Sequence, residues 1–124
     1  MFLFFSHELT NAQILDAKEN WRVKEFISLP QELQEQWSNI PSGIENLTSY
    51  LTAHKQFLAQ HTQFEDMVLI QGDFGAVYNI VNFAKELGLK PVYATTNRII
   101  EEFEEEGKTI KKSIFEHVRF REYV

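Results

Sequence analysis

Short polar and basic side chains follow three apolar segments of this chain, and their types suit phosphate chemistry. A guanidinium beside hydroxyl groups binds phosphate through charge-assisted hydrogen bonds. A glycine-containing turn in front of a helix presents backbone N–H groups to an anion. These patterns predict a site for a small anionic ligand, built from Ser6 and His7, from Gly72, Asp73, Phe74 and Gly75, and from Thr95, Thr96, Asn97 and Arg98.

Each of these candidates also has a purely structural explanation. Gly72 and Gly75 suit a tight turn, with Asp73 as the cap of the following helix. Ser6 and His7 suit the loop before a helix, and Arg98 suits a surface loop. The segment 72–75 matches neither the P-loop nor the dinucleotide fingerprint, so it does not identify the ligand by itself.

Apolar runs alternate with segments of helical spacing along the first three quarters of the chain. Strands are predicted at residues 2–5, 23–29, 67–71 and 91–94, and helices at 10–20, 30–40, 44–61 and 75–88. Such alternation predicts an α/β, Rossmann-like fold with a mostly parallel sheet flanked by helices. The carboxyl ends of parallel strands meet at one edge of a sheet, so we expect the three polar segments to converge there.

The last thirty residues fit two interpretations, a short helix stopped by Gly107 or a β-hairpin that turns at residues 106–108. The hairpin is favoured because its acidic first arm would pair with the lysines of the second. Residues 1–97 are then the α/β core and 98–124 the C-terminal hairpin of one domain. Alternation in the second arm predicts one face with Ile110, Ile114, Val118 and Phe120, and another with Lys111, Ser113, His117, Arg119 and Arg121.

Composition excludes several classes of protein. A chain of 124 residues, 44% of them hydrophobic, is enough for one globular domain with a core. The absence of cysteine excludes disulfides and cysteine-ligated metals, and the formal charge of −6 argues against a binder of duplex nucleic acid. The apolar opening at residues 1–5 indicates a buried strand and not a signal peptide, and no run suits a membrane span. We expect a cytoplasmic protein with no metal and no cofactor.

Five separated segments together resemble one known family. They are residues 4–10 (FFSHELT), 29–41 with Leu29-Pro30 and Trp37-Ser38-Asn39-Ile40-Pro41, 71–76 (QGDFGA), 93–98 (YATTNR) and 115–123 (FEHVRFREY). The pattern is similar to small standalone CRISPR-associated proteins of type III systems that are related to the CRISPR-associated Rossmann fold (CARF). The resemblance spans essentially the whole chain.

This resemblance implies a homodimeric, metal-independent ring nuclease. Such a protein binds a cyclic oligoadenylate, here cyclic tetra-adenylate, and opens it to switch off antiviral signalling. Arg98 and the amides after Gly72 would stabilise the phosphate, while Ser6 and Thr95 or Thr96 would position the phosphate or the 2′-hydroxyl. His7 would act as general acid or base. Asp73 would bind a ribose hydroxyl or cap its helix.

Two alternatives stay open. In the first, the protein binds the same ligand without cutting it, as a sensor or a sponge. In the second, it is an interaction module whose segment 30–41 and charged hairpin contact a protein partner. The strip at residues 117–121 also suits either a nucleic-acid strand or the solvated face of an edge hairpin.

Overall fold

A computed structural model describes residues 1–124 as one five-stranded sheet flanked by helices. The strand order is β2-β1-β3-β4-β5, in which β1 to β4 are parallel and β5 is antiparallel to β4. The predicted α/β class with a mostly parallel sheet is confirmed. In chain order the elements are β1 (Phe2–Phe4), α1 (Asn11–Trp21), β2 (Ile27–Ser28), α2 (Gln31–Ser38), α3 (Thr52–His61), β3 (Met67–Ile70), α4 (Phe74–Glu86), β4 (Lys90–Glu105) and β5 (Lys108–Glu122).

Helices cover both faces of the sheet and divide the core in two. On one face, α2, α3 and α4 pack around Trp37, Leu58 and Ile80. On the other face, α1 packs through Ala17 against a smaller cluster that includes Phe120. All four residues of β3 are buried, as expected for a central strand covered on both sides. No helix combines the length and the apolar character needed to cross a membrane.

Two helices begin where the sequence predicts caps. At the start of α1, Gln13 N donates to Thr10 Oγ1 (3.2 Å) and Thr10 N donates to Gln13 Oε1 (2.9 Å), which is a capping box. At the start of α4, Ala76 N donates to Asp73 Oδ2 (3.0 Å). Both caps satisfy amides that have no acceptor inside their helix.

Two predicted elements are shorter than expected. The helix predicted at 44–61 begins only at Thr52, because polar side chains before it bond to the local backbone. Thr48 N donates to Asn46 Oδ1 (2.8 Å). Such a turn competes with helix formation. The strand predicted at 23–29 is reduced to Ile27–Ser28, which pairs with β1.

The fourth strand is much longer than predicted. It runs to Glu105 instead of ending at Ala94, and it pairs with β5 along its length, which confirms the hairpin. The strand passes through residues 97 and 98 unbroken, so the expected boundary between core and hairpin lies inside it. The hairpin turns at Glu106 and Gly107, whose φ values of 52° and 74° suit a two-residue turn. Residues 97–116, beyond the end of β3, are called the arm below.

A β-bulge divides β5 at Val118. Thr95 pairs with Arg119 but Thr96 pairs with His117, so Val118 has no partner. The alternation of side chains is therefore shifted by one residue at the bulge. The predicted face with Phe120 beside Ile110 and Ile114 is wrong, since Phe120 shares its face with His117.

The two faces of the hairpin are called front and back below, according to the helices that cover its base. On the front face, Tyr93 contacts Tyr123, which packs against the cluster formed by α2, α3 and α4. The back face packs against α1 through Phe120. The register places Thr95 and Asn97 on the front face, and Thr96 and Arg98 on the back face.

Candidate functional site

A chain of hydrogen bonds fixes the hydroxyl of Ser6 at the carboxyl end of β1. Gln34 Nε2 on α2 donates to Ser38 Oγ (3.1 Å), which donates to Ser6 Oγ (2.9 Å). The same amide nitrogen donates to the Phe5 carbonyl (3.0 Å). Because Ser6 Oγ accepts from Ser38, its own proton is left to donate to another group.

His7 lies beside Ser6 in a cleft of about 400 Å³ between β1, β2 and α2. Its ring is exposed and contacts the Phe5 ring edge to face at 5.4 Å between centroids. No hydrogen bond orients the imidazole within the protein. Both ring nitrogens are therefore available to a ligand.

The turn after β3 is fixed from both sides. Trp37 Nε1 donates to the Gln71 carbonyl (3.0 Å), and Ala94 N donates to Gln71 Oε1 (2.8 Å). Gly72 has a φ of +155°, and a Cβ there would lie 3.2 Å from Trp37 Nε1. The close approach of the indole and the backbone conformation both explain why glycine occupies this position.

Four successive amides in this turn and the start of α4 have no protein acceptor, those of Gly72, Asp73, Phe74 and Gly75. They belong to a helix N-terminus, where the partial positive charge of the helix dipole favours an anion. The Asp73 carboxylate already caps the helix, so an anion here would lie beside a negative charge. The Phe74 side chain is 93% exposed. It is not part of the core and does not shield these amides from solvent.

The turn and Ser6 lie at the same edge, on neighbouring strands. The last ladder bond joins Gln71 N to the Phe4 carbonyl (3.0 Å), which places Gly72 and Ser6 just beyond it. Thr95 lies on the next strand, but its hydroxyl donates to the Arg119 carbonyl (3.0 Å). The structure therefore brings Ser6 next to the turn, with Thr95 at the margin. His7 lies on the other side of Ser6, in a cleft that none of residues 72–75 lines.

Arg98 does not join this group. It lies four residues beyond Ala94 along the extended strand. That separation is roughly 13 Å at the usual rise per residue of a strand. Its Nε and Nη2 atoms donate to Ser113 Oγ at 3.2 and 3.0 Å across the hairpin. The expectation that Arg98 closes a strand at the sheet edge is wrong, because the β-branched residues after it continue the strand.

Thr96 and Asn97 are also separated from the turn by the hairpin geometry. Both are exposed, and they lie on opposite faces. Thr96 lines a cleft of about 510 Å³ with Gln13 and His117 on the side of α1. Asn97 is the first residue of the arm on the front face.

Two arginines that were not among the predicted site residues lie on the front face at the base of the arm. Arg121 stacks on the Tyr93 ring, with its guanidinium carbon 5.0 Å from the ring centre, and donates to the Tyr93 hydroxyl. Arg119 Nε donates to the Phe120 carbonyl (3.0 Å). The basic strip at 117–121 in the sequence contains both arginines. Its simple alternation predicted them on the same face as His117, because it takes no account of the bulge.

A second polar cluster joins α1 to β5. His117 Nε2 donates to Asp16 Oδ2 (2.7 Å), which also accepts from Phe120 N (3.2 Å), while Asn20 Nδ2 donates to Asp16 Oδ1 (2.7 Å). The side chain of His117 is 4% exposed, and its buried Nδ1 has no partner. Desolvation raises the pKa of Asp16, but the hydrogen bonds and the charge of His117 outweigh it and lower this pKa below 3.8.

The remaining histidines of interest lie on α3. His54 is fully buried, and its Nε2 donates to the Leu33 carbonyl (2.9 Å). Burial lowers the pKa of His54, and the bond to the carbonyl only partly opposes this. His61 Nδ1 contacts the Phe57 carbonyl (2.8 Å). No group of three or more histidine, aspartate or glutamate side chains is placed to hold a metal ion.

The matches to known proteins extend over nearly the whole chain. The chain is 53% identical over 123 residues to the protein called "Uncharacterized protein MJ1673" of Methanocaldococcus jannaschii. That match covers 99% of this chain and 95% of the relative. No solved structure matches the chain significantly. Residues 1–121, including both polar clusters and the arm, match the family described as the uncharacterized protein MJ1673 family, and the chain belongs to that family.

Proposed function

We propose that this protein binds a cyclic oligoadenylate at the carboxyl edge of β1 and β3 and opens the ring without a metal ion. The observation that carries the proposal is the row of free amides at residues 72–75 beside the Ser6 hydroxyl. Such amides bind a phosphate group at a helix N-terminus. The resemblance of the sequence to CARF-related proteins of type III CRISPR systems supports cyclic tetra-adenylate as the ligand, a Rossmann-like CARF domain and a homodimer.

In the proposed reaction, one ribose 2′-oxygen attacks the adjacent phosphorus. The bond from that oxygen to phosphorus forms as the bond from phosphorus to the 5′-oxygen breaks, which leaves a 2′,3′-cyclic phosphate and a 5′-hydroxyl. The 2′-hydroxyl loses a proton and the leaving 5′-oxygen gains one; His7 acts as general acid or base at one of these oxygens, and solvent water exchanges the proton at the other. The amides at 72–75 stabilise the charge on the phosphoryl oxygens, and Ser6 orients the phosphate.

Arg98 takes part only if the ligand is large. A single phosphate held at the turn does not reach it, because Arg98 lies four strand residues beyond Ala94. A ring of several nucleotides spans the roughly 13 Å that four residues of strand cover. In this proposal Arg98 binds another phosphate of the same ring from the back face of β4, which it shares with Thr96, while Thr95 and Asn97 contact the ring from the front face.

A second candidate, a sensor or sponge that does not cut the ligand, is favoured by one observation. General bases are normally held in position by a hydrogen bond to a third group. His7 is exposed and has no such partner in the protein. This arrangement suits a ring that contacts an adenine or a phosphate without abstracting a proton.

The first experiment is incubation of the purified protein with radiolabelled cyclic tetra-adenylate in EDTA. Linear products ending in a 2′,3′-cyclic phosphate are expected for the ring nuclease. Intact ligand that migrates with the protein on a native gel would establish the sensor or sponge instead. Neither cleavage nor binding would overturn both. His7→Asn is expected to abolish cleavage but not binding, with His61→Asn as the matched control.

A pair of variants at one position tests the amides themselves. Phe74→Pro removes the N–H at the first helical residue, where proline is tolerated and no intrahelical bond is lost. Asp73 already has a ψ of 134°, which suits a residue before proline. Phe74→Ala removes the same exposed ring but keeps the N–H. We expect about a tenfold or greater loss of affinity in Phe74→Pro only. Equal binding by the wild type and both variants would exclude the turn as the site.

A further inference from the structure

The arm, residues 97–116, is a two-stranded ribbon that projects from the domain, and only Phe115 and Glu116 at its base line a cleft with the start of α1. Its last contact with the parallel sheet is through the base of β4, since β3 pairs with β4 only as far as Val92. Apart from the half-buried Ile110 and Ile114, every residue of the arm is exposed. An isolated ribbon of two strands is only marginally stable in water. This length of uncovered ribbon indicates that another surface packs on it.

Two apolar rungs lie on the front face of the arm. Ile99 pairs with Ile114, and Phe103 pairs with Ile110. Ile99 is 38% exposed and Phe103 is 43% exposed, and both point to the same face of a ribbon with no covering helix. Four large apolar side chains on one open face form a surface of the kind that proteins use for association.

Charged rungs alternate with these apolar rungs on the same face. Glu101 pairs with Lys112, and Glu105 pairs with Lys108. In both charged rungs the glutamate is on β4 and the lysine is on β5. These two rungs are therefore neutral, with their negative charges on β4 and their positive charges on β5. The rung at the base of the arm differs, because there Glu116 on β5 pairs with the uncharged Asn97.

The edges of the arm are protected against pairing with a second copy. The β4 edge carries the glutamates of residues 101–106, and the β5 edge carries Lys108, Lys111 and Lys112. Two-fold pairing of equal edges would place like charges opposite each other, which destabilises a sheet. Nucleic acid is also disfavoured as a partner, because residues 97–116 contain six glutamates and four basic residues.

We infer that the front face of the arm is a self-association surface, on which a second copy of this chain packs front face to front face with the two arms parallel. A two-fold axis along the arm places β4 of one copy over β5 of the other. The apolar rungs then stack on each other, and Glu101 of each copy faces Lys112 of the partner. With the arms antiparallel, glutamate would lie over glutamate, so the charge pattern selects the parallel arrangement.

A matched pair of variants tests which face associates. Phe103→Glu on the front face is expected to raise the dimer dissociation constant about thirtyfold or more in sedimentation equilibrium without ligand. Ile100→Glu alters a neighbouring apolar residue on the back face, 57% exposed, and is expected to leave the dimer unchanged. A dimer that survives Phe103→Glu, or one lost equally in Ile100→Glu, would overturn the assignment. So would a wild type that stays monomeric at about 100 μM, well above the micromolar constants of weak specific interfaces.

Charge exchange tests the orientation of the arms. The double variant Glu101→Lys/Lys112→Glu keeps the opposite charges within its own rung and between two copies of itself. It is expected to form homodimers but not mixed dimers with the wild type, in which equal charges would meet. Free mixing of differently tagged chains would overturn the parallel arrangement. No ligand is present in either experiment, so the proposed site at residues 72–75 stands or falls separately.

Discussion

The polar groups of the arm and of the rest of the domain, residues 1–96 and 117–124, here called the body, differ in how far along the chain their partners lie. In the body, Trp37 bonds to a residue 34 positions away and Asp16 bonds to His117, 101 positions away. In the arm, Arg98 reaches only Ser113 across the hairpin, and Lys111 reaches Glu102. Contacts in the body hold separate elements together, whereas those in the arm hold one ribbon. Stability and association are therefore expected to respond to different substitutions.

The largest effect on stability is expected at Trp37, which is 2% exposed and covers the turn after β3. Trp37→Ala creates a cavity and leaves the Gln71 carbonyl without its donor, at a cost of about 3–5 kcal/mol. Trp37→Phe keeps most of the volume and loses chiefly the hydrogen bond, at about 1–3 kcal/mol. Urea denaturation measures both. Equal losses in the two variants would contradict a role of the indole in packing.

A smaller effect on the free energy of unfolding is expected at Asp16, where the body meets the base of the arm. Asp16→Asn weakens the contacts to His117 and to Phe120 N. We expect a loss of about 1–3 kcal/mol at neutral pH. Glu19→Gln on the exposed side of α1 is the matched control and is expected to change little. A loss of the same size in the control would contradict the assignment.

The loss in Asp16→Asn is also expected to depend on pH in a defined direction. Since the pKa of Asp16 is lowered in the folded protein, its carboxylate stabilises the fold fully above the unfolded value of 3.8. That contribution disappears as the pH falls through the lower folded value. The difference between the wild type and the variant should therefore shrink in acid, and a constant difference would argue against stabilisation by the Asp16 carboxylate.

The smallest effect on the free energy of unfolding is expected for a salt bridge in the arm. The side chains of Lys111 and Glu102 are 70% and 59% exposed at a separation of 3.5 Å, so their pair is screened by solvent. Lys111→Ala is expected to change the free energy of unfolding by less than about 0.5 kcal/mol, and less still at high salt. A loss as large as that of Asp16→Asn would remove the distinction between arm and body.

Much of the body could be predicted from local patterns. The apolar runs of β1 and β3, the capping box at Thr10 and the capping role of Asp73 each depend on a few neighbouring residues. The hairpin was recognisable because its charges pair across the strands. The neighbouring positions of Ser6 and the turn at the carboxyl edge could also be predicted, since parallel strands bring their ends together.

The remaining features depend on contacts between distant residues, or on competition between alternative local structures, and the sequence pattern shows neither. The polar residues at 95–98 look like a loop in the sequence, yet pairing with β5 keeps them in a strand and carries Arg98 away from the turn. The bulge at Val118 has no glycine to mark it. The partners of Ser6 and Asp16 come from other elements, α2 and β5, and neither spacing nor composition connects them.

The contact between Asp16 and His117 has a consequence for the order of folding. It closes a loop of nearly the whole chain, whereas the arm closes through pairs only a few residues from its turn. Contacts that close long loops incur a larger entropy loss before they gain any energy, so this hydrogen bond is expected to form after the transition state. Asp16→Asn should then speed unfolding and leave the refolding rate nearly unchanged in stopped-flow kinetics. In that case the contact between Asp16 and His117 determines the lifetime of the native protein, and the arm can form before this contact does.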